Sequence, residues 1–415
     1  MTAPRRRVVV TGLGAVTPFG VGAAALWRGV REGRSAVTAL DRGACDLPCR
    51  AAGQVRDFDP CQMLGRVEAR RLLPFSQFAL ASAREAWEHA GLAHDAVDGR
   101  RVATVVGNGS GGFPCGPALV DGWRARGWRG MDPLTLVKAL PDVAAQQVSI
   151  ALGLGGPILT CTASCASGTM AIGQATEMIR AGRADVALAG GTEAWLTPYG
   201  LSTFAALRAL STRDCPPEEA SCPFDRRRDG FVPTEGAAML VLEEREHAQR
   251  RRAPVLAEVA GVASTSDAHN QLAPRPDGTA AARCIALALE DAGVAAAEVD
   301  YVNAHGTSTP LNDVAETRAL KLALGCHASR VAVSSVKSML GHALGAAGAI
   351  ESVVTVMALR DGVIPPTINL REPDPACDLD YVAEGPRAAP LRVALKNSFA
   401  LGGQNACLVY RRVGG

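Results

Sequence analysis

The stretch Gly156-Pro157-Ile158-Leu159-Thr160-Cys161-Thr162-Ala163-Ser164-Cys165-Ala166-Ser167-Gly168 reads as a buried strand that turns sharply into a long helix. The layout returns in Ser334-Ser335-Val336-Lys337-Ser338-Met339-Leu340-Gly341-His342-Ala343-Leu344-Gly345-Ala346-Ala347-Gly348, again a strand, a loop and a helix of small residues. When Cys165-Ala166-Ser167-Gly168 is set against His342-Ala343-Leu344-Gly345, the helices continue through Ala171-Ile172 and Ala349-Ile350. They end at Arg180-Ala181-Gly182 and Arg360-Asp361-Gly362, with the spacing drifting by a few residues. The echo suggests an internal duplication, two related α/β halves meeting near Ala253.

Working outward, Val8 to Thr11 reads as a strand followed by a glycine turn and an amphipathic helix from about Val21 to Glu32. Helical periodicity recurs over Ser76–Leu92, Asp142–Leu152, Cys165–Ala181, Thr279–Ala292, Pro310–Leu324 and Gly341–Leu359. Short β-branched runs separate these segments: Val102–Val106, Ala184–Ala189, Met239–Leu242 and Val331–Ser334. Such alternation predicts an α/β fold with largely parallel sheets.

Composition narrows the function. The formal charge of +2, from 43 basic and 41 acidic residues, gives no overall field to attract nucleic acid or an anionic membrane. Twelve Cys at irregular spacing, without paired CxxC motifs, read as reduced, mostly buried thiols of a cytoplasmic protein, with no zinc site among them. The Arg-rich start, Met1 to Arg7, resembles the front of a signal peptide, but the apolar run Val8-Val9-Val10 breaks too soon for one. No apolar stretch reaches the roughly 18 residues that a membrane span requires.

Three segments can carry chemistry. Cys165 sits where a strand meets a helix N-terminus, whose dipole and free N–H groups favour a thiolate and can hold an oxyanion; the alternative is a buried structural thiol, the reading that suits Cys161. His305, in Val302-Asn303-Ala304-His305-Gly306-Thr307-Ser308-Thr309-Pro310, occupies the C-terminal edge of a strand, where α/β sheets meet ligands. Lys337 and His342 lie close together in an apolar setting. Glu351 is a counter-charge for Lys337, either within the reaction or in a purely structural ion pair.

Taken with Thr11-Gly12-Leu13-Gly14, Gly190-Gly191-Thr192-Glu193-Ala194, the run Thr203–Arg213, Phe224-Asp225 through Arg228-Asp229-Gly230-Phe231-Val232, and Lys396-Asn397-Ser398-Phe399, these segments resemble the β-ketoacyl-acyl-carrier-protein synthases over nearly the whole chain. The elongating type II class is the nearest, and the ketosynthase of a type II polyketide synthase is one form of it. The resemblance implies a thiolase-like fold, two duplicated halves in a five-layered αβαβα arrangement, residues 1–253 holding Cys165 and residues 254–415 holding His305 and His342. It implies that Cys165 accepts an acyl group from a carrier-protein thioester. A malonyl extender then loses carbon dioxide and its enolate attacks the acyl-Cys. His305 and His342 would hydrogen-bond the extender's thioester oxygen, with Lys337 and Glu351 positioning them. The backbone N–H of Leu401 would join that of Cys165 as oxyanion donor beside Phe399, and Phe204 and Phe231 would border the substrate. Thr307 and Thr309 would meet the pantetheine arm, unless they merely cap the following helix. No metal or other cofactor is implied. The implied partners are an acidic acyl carrier protein, docked on Arg66, Arg70, Arg71 and Arg208, and a second subunit, identical or resembling a chain-length factor.

The chain departs from the family at three places. Leu401 stands where the C-terminal glycine loop normally presents an aromatic gate, and Ala400 replaces a glycine there, which restricts positive φ. Ser110 in Gly107-Asn108-Gly109-Ser110-Gly111-Gly112 replaces a branched apolar residue and predicts a roomier acyl site, to be narrowed in a Ser110→Ile variant. These features, with Gln404, point to polyketide duty over primary fatty-acid elongation. The third departure is Val232-Pro233-Thr234-Glu235-Gly236. A non-catalytic chain-length partner is disfavoured by the retained Cys-His-His set, and a thiolase by its different cysteines. An acyltransferase that passes the Cys165 acyl group to an amine or alcohol remains open through the altered gate.

Overall fold

A computed structural model describes residues 5–40, 46–92 and 97–414. The first four residues of the Arg-rich start lie outside these. Ten principal strands form one path: β1 (Val8–Thr17), β2 (Val102–Gly107), β3 (Ile158–Cys161), β4 (Val186–Glu193), β5 (Gly236–Glu244), β6 (Ala257–Ser266), β7 (Tyr301–Asn303), β8 (Ala332–Ser334), β9 (Val393–Phe399) and β10 (Gln404–Arg411). Their order is β8-β7-β9-β10-β6-β1-β5-β4-β2-β3. From the junction outward, β1-β5-β4-β2-β3 is matched by β6-β10-β9-β7-β8, each strand of the second set being the fifth after its counterpart. The directions agree as well. The pairs β2–β3, β2–β4, β7–β8 and β7–β9 are parallel, whereas β1–β5, β4–β5, β6–β10 and β9–β10 are antiparallel.

The sheet is therefore mixed, which corrects the expectation of a largely parallel one. A strand covered on both faces is apolar throughout whichever way it runs, so the pattern carries no direction. The opening strand also differs, running through the supposed glycine turn to Thr17. The glycines serve close packing: a Cβ on Gly12 would lie 2.1 Å from the Ala86 carbonyl oxygen, and one on Gly14 2.0 Å from that of Ser82. Both carbonyls belong to the helix that packs on this strand.

The main helices are α1 (Ala23–Arg31), α2 (Pro74–His89), α3 (Val143–Leu152), α4 (Ser167–Arg180), α5 (Thr279–Ala292), α6 (Pro310–Leu324) and α7 (Ala347–Asp361). Helices α2 and α3 cover the first half's strands and α5 covers β6 and β10, with α6 beside it. Helices α4 and α7 touch strands of both halves and form the middle of five layers. Thirteen of the fifteen α7 residues are buried, which is why this helix lacks a polar face. The small residues at the helix starts let α4 and α7 cross closely: a Cβ on Gly348 would meet Thr169 Oγ1 at 2.1 Å, and one on Gly168 the Ala349 nitrogen at 2.9 Å.

The internal echo takes a different register from the one read in sequence. Short 3-10 turns, Ser164–Ala166 and Leu344–Ala346, precede α4 and α7, and Ser164 and Leu344 share a φ of 48°. Cys165 thus corresponds to Gly345, while His342 lies in the loop before the second turn. No helix among the described residues is long and apolar enough to cross a membrane.

Candidate active site

Cys165 is held at the turn into α4, where the Ala163 N–H donates to Ser167 Oγ at 2.9 Å and Ser167 Oγ donates to the Ser164 carbonyl at 2.7 Å. His305 follows β7, and its own N–H and that of Gly306 donate to Glu316 at 2.8 and 2.7 Å. His342 is pinned by its N–H on the Val232 carbonyl (2.7 Å) and by its carbonyl on the Thr234 N–H (3.1 Å). The Thr234 hydroxyl donates to the Leu340 carbonyl. The unusual Val232–Gly236 segment therefore acts as the clamp of the His342 loop.

These three loops bring the Cys165 sulfur and a ring nitrogen from each histidine within 4.8 Å of one another, all buried. His342 Nε2 lies 3.0 Å from Cys165 Sγ. The Leu401 N–H also points at this sulfur. The two imidazoles meet edge to face with centroids 5.3 Å apart. Behind them, Lys337 Nζ donates to the His305 carbonyl at 2.6 Å, faces His305 Nδ1 at 3.4 Å, and pairs with Glu351. An ammonium can only donate, so Nδ1 of His305 carries the lone pair and the proton sits on Nε2.

Burial dominates the electrostatics. It pushes the Cys165 thiol up to about 12, with Lys337 and the Leu401 N–H pulling the other way. The resting group is a thiol, which corrects the expected thiolate: loss of hydration outweighs the helix terminus. Both histidines are held well below 6.5 by burial first, then by Lys337, and are neutral bases at neutral pH. Cys161, raised to about 11 by burial alone, has no such partners and fits its structural reading.

A cavity of about 380 Å³ opens onto Cys165, His305 and His342, walled by Phe204, Phe231, Phe399 and Leu401 and reaching Arg208 and Leu311 at its outer end. Phe231 packs edge-on against His342 at 5.3 Å and against Phe204 at 5.3 Å. Thr307 and Thr309 line the same channel and bond each other at 2.8 Å. Thr309 makes no side-chain cap to α6, so helix capping does not account for it. In the gate loop the positive φ values fall on Gly402 and Gly403 and not on Ala400, so the missing glycine carries no backbone strain.

Two site assignments change. Ser110 is absent from the cavity lining, and its hydroxyl donates to Glu193 Oε1 at 2.6 Å. Glu351 is sealed behind His305 between two lysines and does not reach the cavity. Arg66, Arg70 and Arg71 are exposed on the short helix Arg66–Arg71, apart from the cavity lining, while Arg208 borders it. Three charged residues were missed as participants: Glu193, Glu316 and Lys396. Their signal was a charge within or closing an apolar strand, as in Val393-Ala394-Leu395-Lys396, or one facing a buried helix seam.

The cavity thus opens on a cysteine that faces two neutral histidines over a buried lysine. Residues 5–248 match the family described as Beta-ketoacyl synthase, N-terminal domain, and residues 256–371 match Beta-ketoacyl synthase, C-terminal domain. The chain belongs to the β-ketoacyl synthase family. It is an acyltransferase of the condensing type, with the thiolase-like fold. Relatives include the 3-oxoacyl-[acyl-carrier-protein] synthase 2 of Coxiella burnetii, 45% identical over 99% of both chains. Nodulation protein E of Rhizobium sp. is 41% identical over 98% of this chain and all of that one. Among solved structures, the ishigamide ketosynthase/chain length factor superposes with a TM-score of 0.92 at 35% identity, covering 99% of this β-ketoacyl synthase and 100% of that chain. A type II polyketide ketosynthase in complex with its acyl-carrier protein and bound to the hexaketide gives 0.91 at 37% identity, with the same coverage.

Proposed function

We propose that the chain catalyses decarboxylative Claisen condensation between an acyl group carried on Cys165 and a malonyl group on an acyl carrier protein, in assembly of a polyketide-type chain. The observation that carries the reading is the Cys165 sulfur lying 3.0 Å from His342 Nε2, with the Leu401 N–H aimed at it. His342 accepts the thiol proton as sulfur attacks the acyl thioester, and returns it to the departing carrier thiolate. The backbone N–H groups of Cys165 and Leu401 hold the oxyanion. In the second half, Nε2–H of His305 donates to the extender's thioester oxygen as carbon dioxide leaves. The enolate carbon then attacks the acyl-Cys165 carbonyl, and the Cys165 thiolate departs and regains its proton from solvent through His342.

The exposed Arg66, Arg70, Arg71 and Arg208 form no ion pair among the described residues, which supports docking of an acidic carrier protein. Residues 113–140 expose Trp123, Trp128 and Leu136 without a core beneath, which supports a second subunit there, identical or of the chain-length-factor kind. We place the two halves at residues 1–253 and 254–415, the protein in the cytoplasm, and its substrates on carriers with no further cofactor. The 45% identity to a 3-oxoacyl-[acyl-carrier-protein] synthase 2 favours a second reading, primary fatty-acid elongation by the same chemistry.

Intact-mass analysis with acyl- and malonyl-loaded carriers tests both. An acyl adduct absent from Cys165→Ala, followed by a β-ketoacyl carrier two carbons longer, is expected. A stable adduct that never extends overturns condensation and favours transfer to an amine or alcohol. Repeated extension without keto reduction separates polyketide assembly from fatty-acid elongation.

A further inference from the structure

Beneath the two histidines lies a second lysine that the mechanism above does not use. Lys396 belongs to β9, in which every residue is buried, and its side chain is 0% exposed. Its Nζ lies 2.8 Å from Glu351 Oε2 and 2.9 Å from Ser398 Oγ, and donates to the Asn397 carbonyl. The other oxygen of Glu351 is taken by Lys337. One buried carboxylate therefore carries two ammonium groups, one on each oxygen.

Burying a further cation costs several kcal/mol, so a second lysine on an already paired carboxylate has no stabilising rationale of its own. Its neighbours give it another. Lys337 Nζ is the group that faces His305 Nδ1, held there by the His305 carbonyl on one side and by Glu351 Oε1 on the other. A carboxylate bound through one oxygen can swing about its last torsion; bound through both, it cannot. The next residue, Asn397, donates from Nδ2 to Glu316 Oε1 at 3.3 Å, the oxygen that also accepts the His305 N–H. The Lys396-Asn397 pair thus reaches both carboxylates that orient His305.

We infer that Lys396 is a positioning residue of the condensation: its ammonium fixes Glu351 so that Lys337 stays against His305, and its charge adds a second cation beneath the site where the enolate forms. The inference rests on the condensation reading. The charged and titratable groups facing the two imidazoles are Lys337 from the helix Lys337–Leu340, Lys396 from β9, Glu351 from α7, Glu316 from α6, and Cys165 and Glu193 from the first half, with Cys407 of β10 beyond Lys396. Of these, Lys337 and Lys396 oppose protonation of both histidines. Removing a cation lets their proton affinity rise.

The test compares wild type with Lys396→Met, Lys396→Arg and Lys396→Ala in the two-carrier condensation assay, following kcat against pH and the Cys165 acyl adduct by intact mass. For Lys396→Met, kcat falls at least about tenfold with KM for the carriers little changed, and the acid limb of the profile moves up toward the ordinary histidine value near 6.5. The adduct still forms, showing a folded enzyme. Methylammonium restores condensation to Lys396→Ala in a concentration-dependent way and does nothing for wild type. Should the Met variant not fold, Lys396→Arg decides, because it keeps the charge and should keep the acid limb in place. Condensation by Lys396→Met at the wild-type rate overturns the inference, as does a slowed variant with an unmoved acid limb and no rescue. Failure of wild type itself to extend an acyl-Cys165 adduct sinks the condensation reading instead, and so the two failures are distinct.

Discussion

Replacing Glu193 by Gln should make the protein more stable at alkaline pH than at acidic pH relative to wild type, and the size follows from its surroundings. The side chain is fully buried at the end of β4, accepting from the Gly109 N–H at 2.7 Å, the Gly345 N–H at 3.1 Å and the Ser110 hydroxyl at 2.6 Å. These bonds favour the carboxylate, but burial outweighs them and pushes the group from 4.5 up to about 7. Below pH 4.5 the acid is protonated folded or unfolded and contributes no pH dependence. Between 4.5 and 7 the folded state keeps a proton that the unfolded state has lost, so stability falls as pH rises; above 7 the loss is complete, at about 3 kcal/mol. A Gln side chain keeps the geometry, with its oxygen on the two glycine N–H groups and its amide donating to Ser110 Oγ. Urea denaturation of both proteins at pH 5 and pH 8 should show the Gln variant gaining about 2.5 kcal/mol between the two conditions. Because the Glu193 charge also holds the proton on Cys165, iodoacetamide should alkylate Cys165 faster in the variant at pH 8 and equally fast at pH 5. Parallel stability curves with unchanged alkylation would refute the placement of a titrating acid beside the nucleophile.

The remaining expectations concern the same centre. Since His305 and His342 are held well below 6.5, the acid limb of the wild-type condensation profile should lie below that pH, leaving most of the plateau rate at pH 6.5; a half-maximal rate at 6.5 or above contradicts it. Lys337→Met leaves Glu351 paired with Lys396 and should therefore change stability little in urea denaturation, while condensation is lost with the cation that faces His305 Nδ1. Thr234→Val removes the hydroxyl from the Leu340 carbonyl and should cost about 1–3 kcal/mol while slowing Cys165 acylation through a loosened His342; an unchanged rate would separate the clamp from the chemistry. Ser110→Ile should act through Glu193, losing a charge-assisted bond worth about 2 kcal/mol above pH 7, and should leave acyl-chain selectivity unaltered in competition assays.

The sequence by itself determined the residues that meet and the kind of fold that brings them together. Cys165, His305 and His342 each sit where an apolar strand run ends in a small-residue turn, and that local pattern is written in consecutive residues, so spacing and periodicity suffice to read it. The paired helix endings Arg180-Ala181-Gly182 and Arg360-Asp361-Gly362 likewise carried the duplication. Strand direction was not legible, because β5 and β10 are buried on both faces and give the same apolar run parallel or antiparallel. Nor was the role of Gly12 and Gly14, which answers to the Ser82 and Ala86 carbonyls some 70 residues away. The charge state of Cys165 was read from its nearest helix terminus, a local cue, whereas the protonation of a fully buried thiol depends on how much water the whole fold removes. Lys396, Glu316 and Glu193 show the same division. Each is an ordinary charged residue along the chain, and only tertiary packing, by closing every route to solvent and leaving a few specific partners, turns its charge into part of the site.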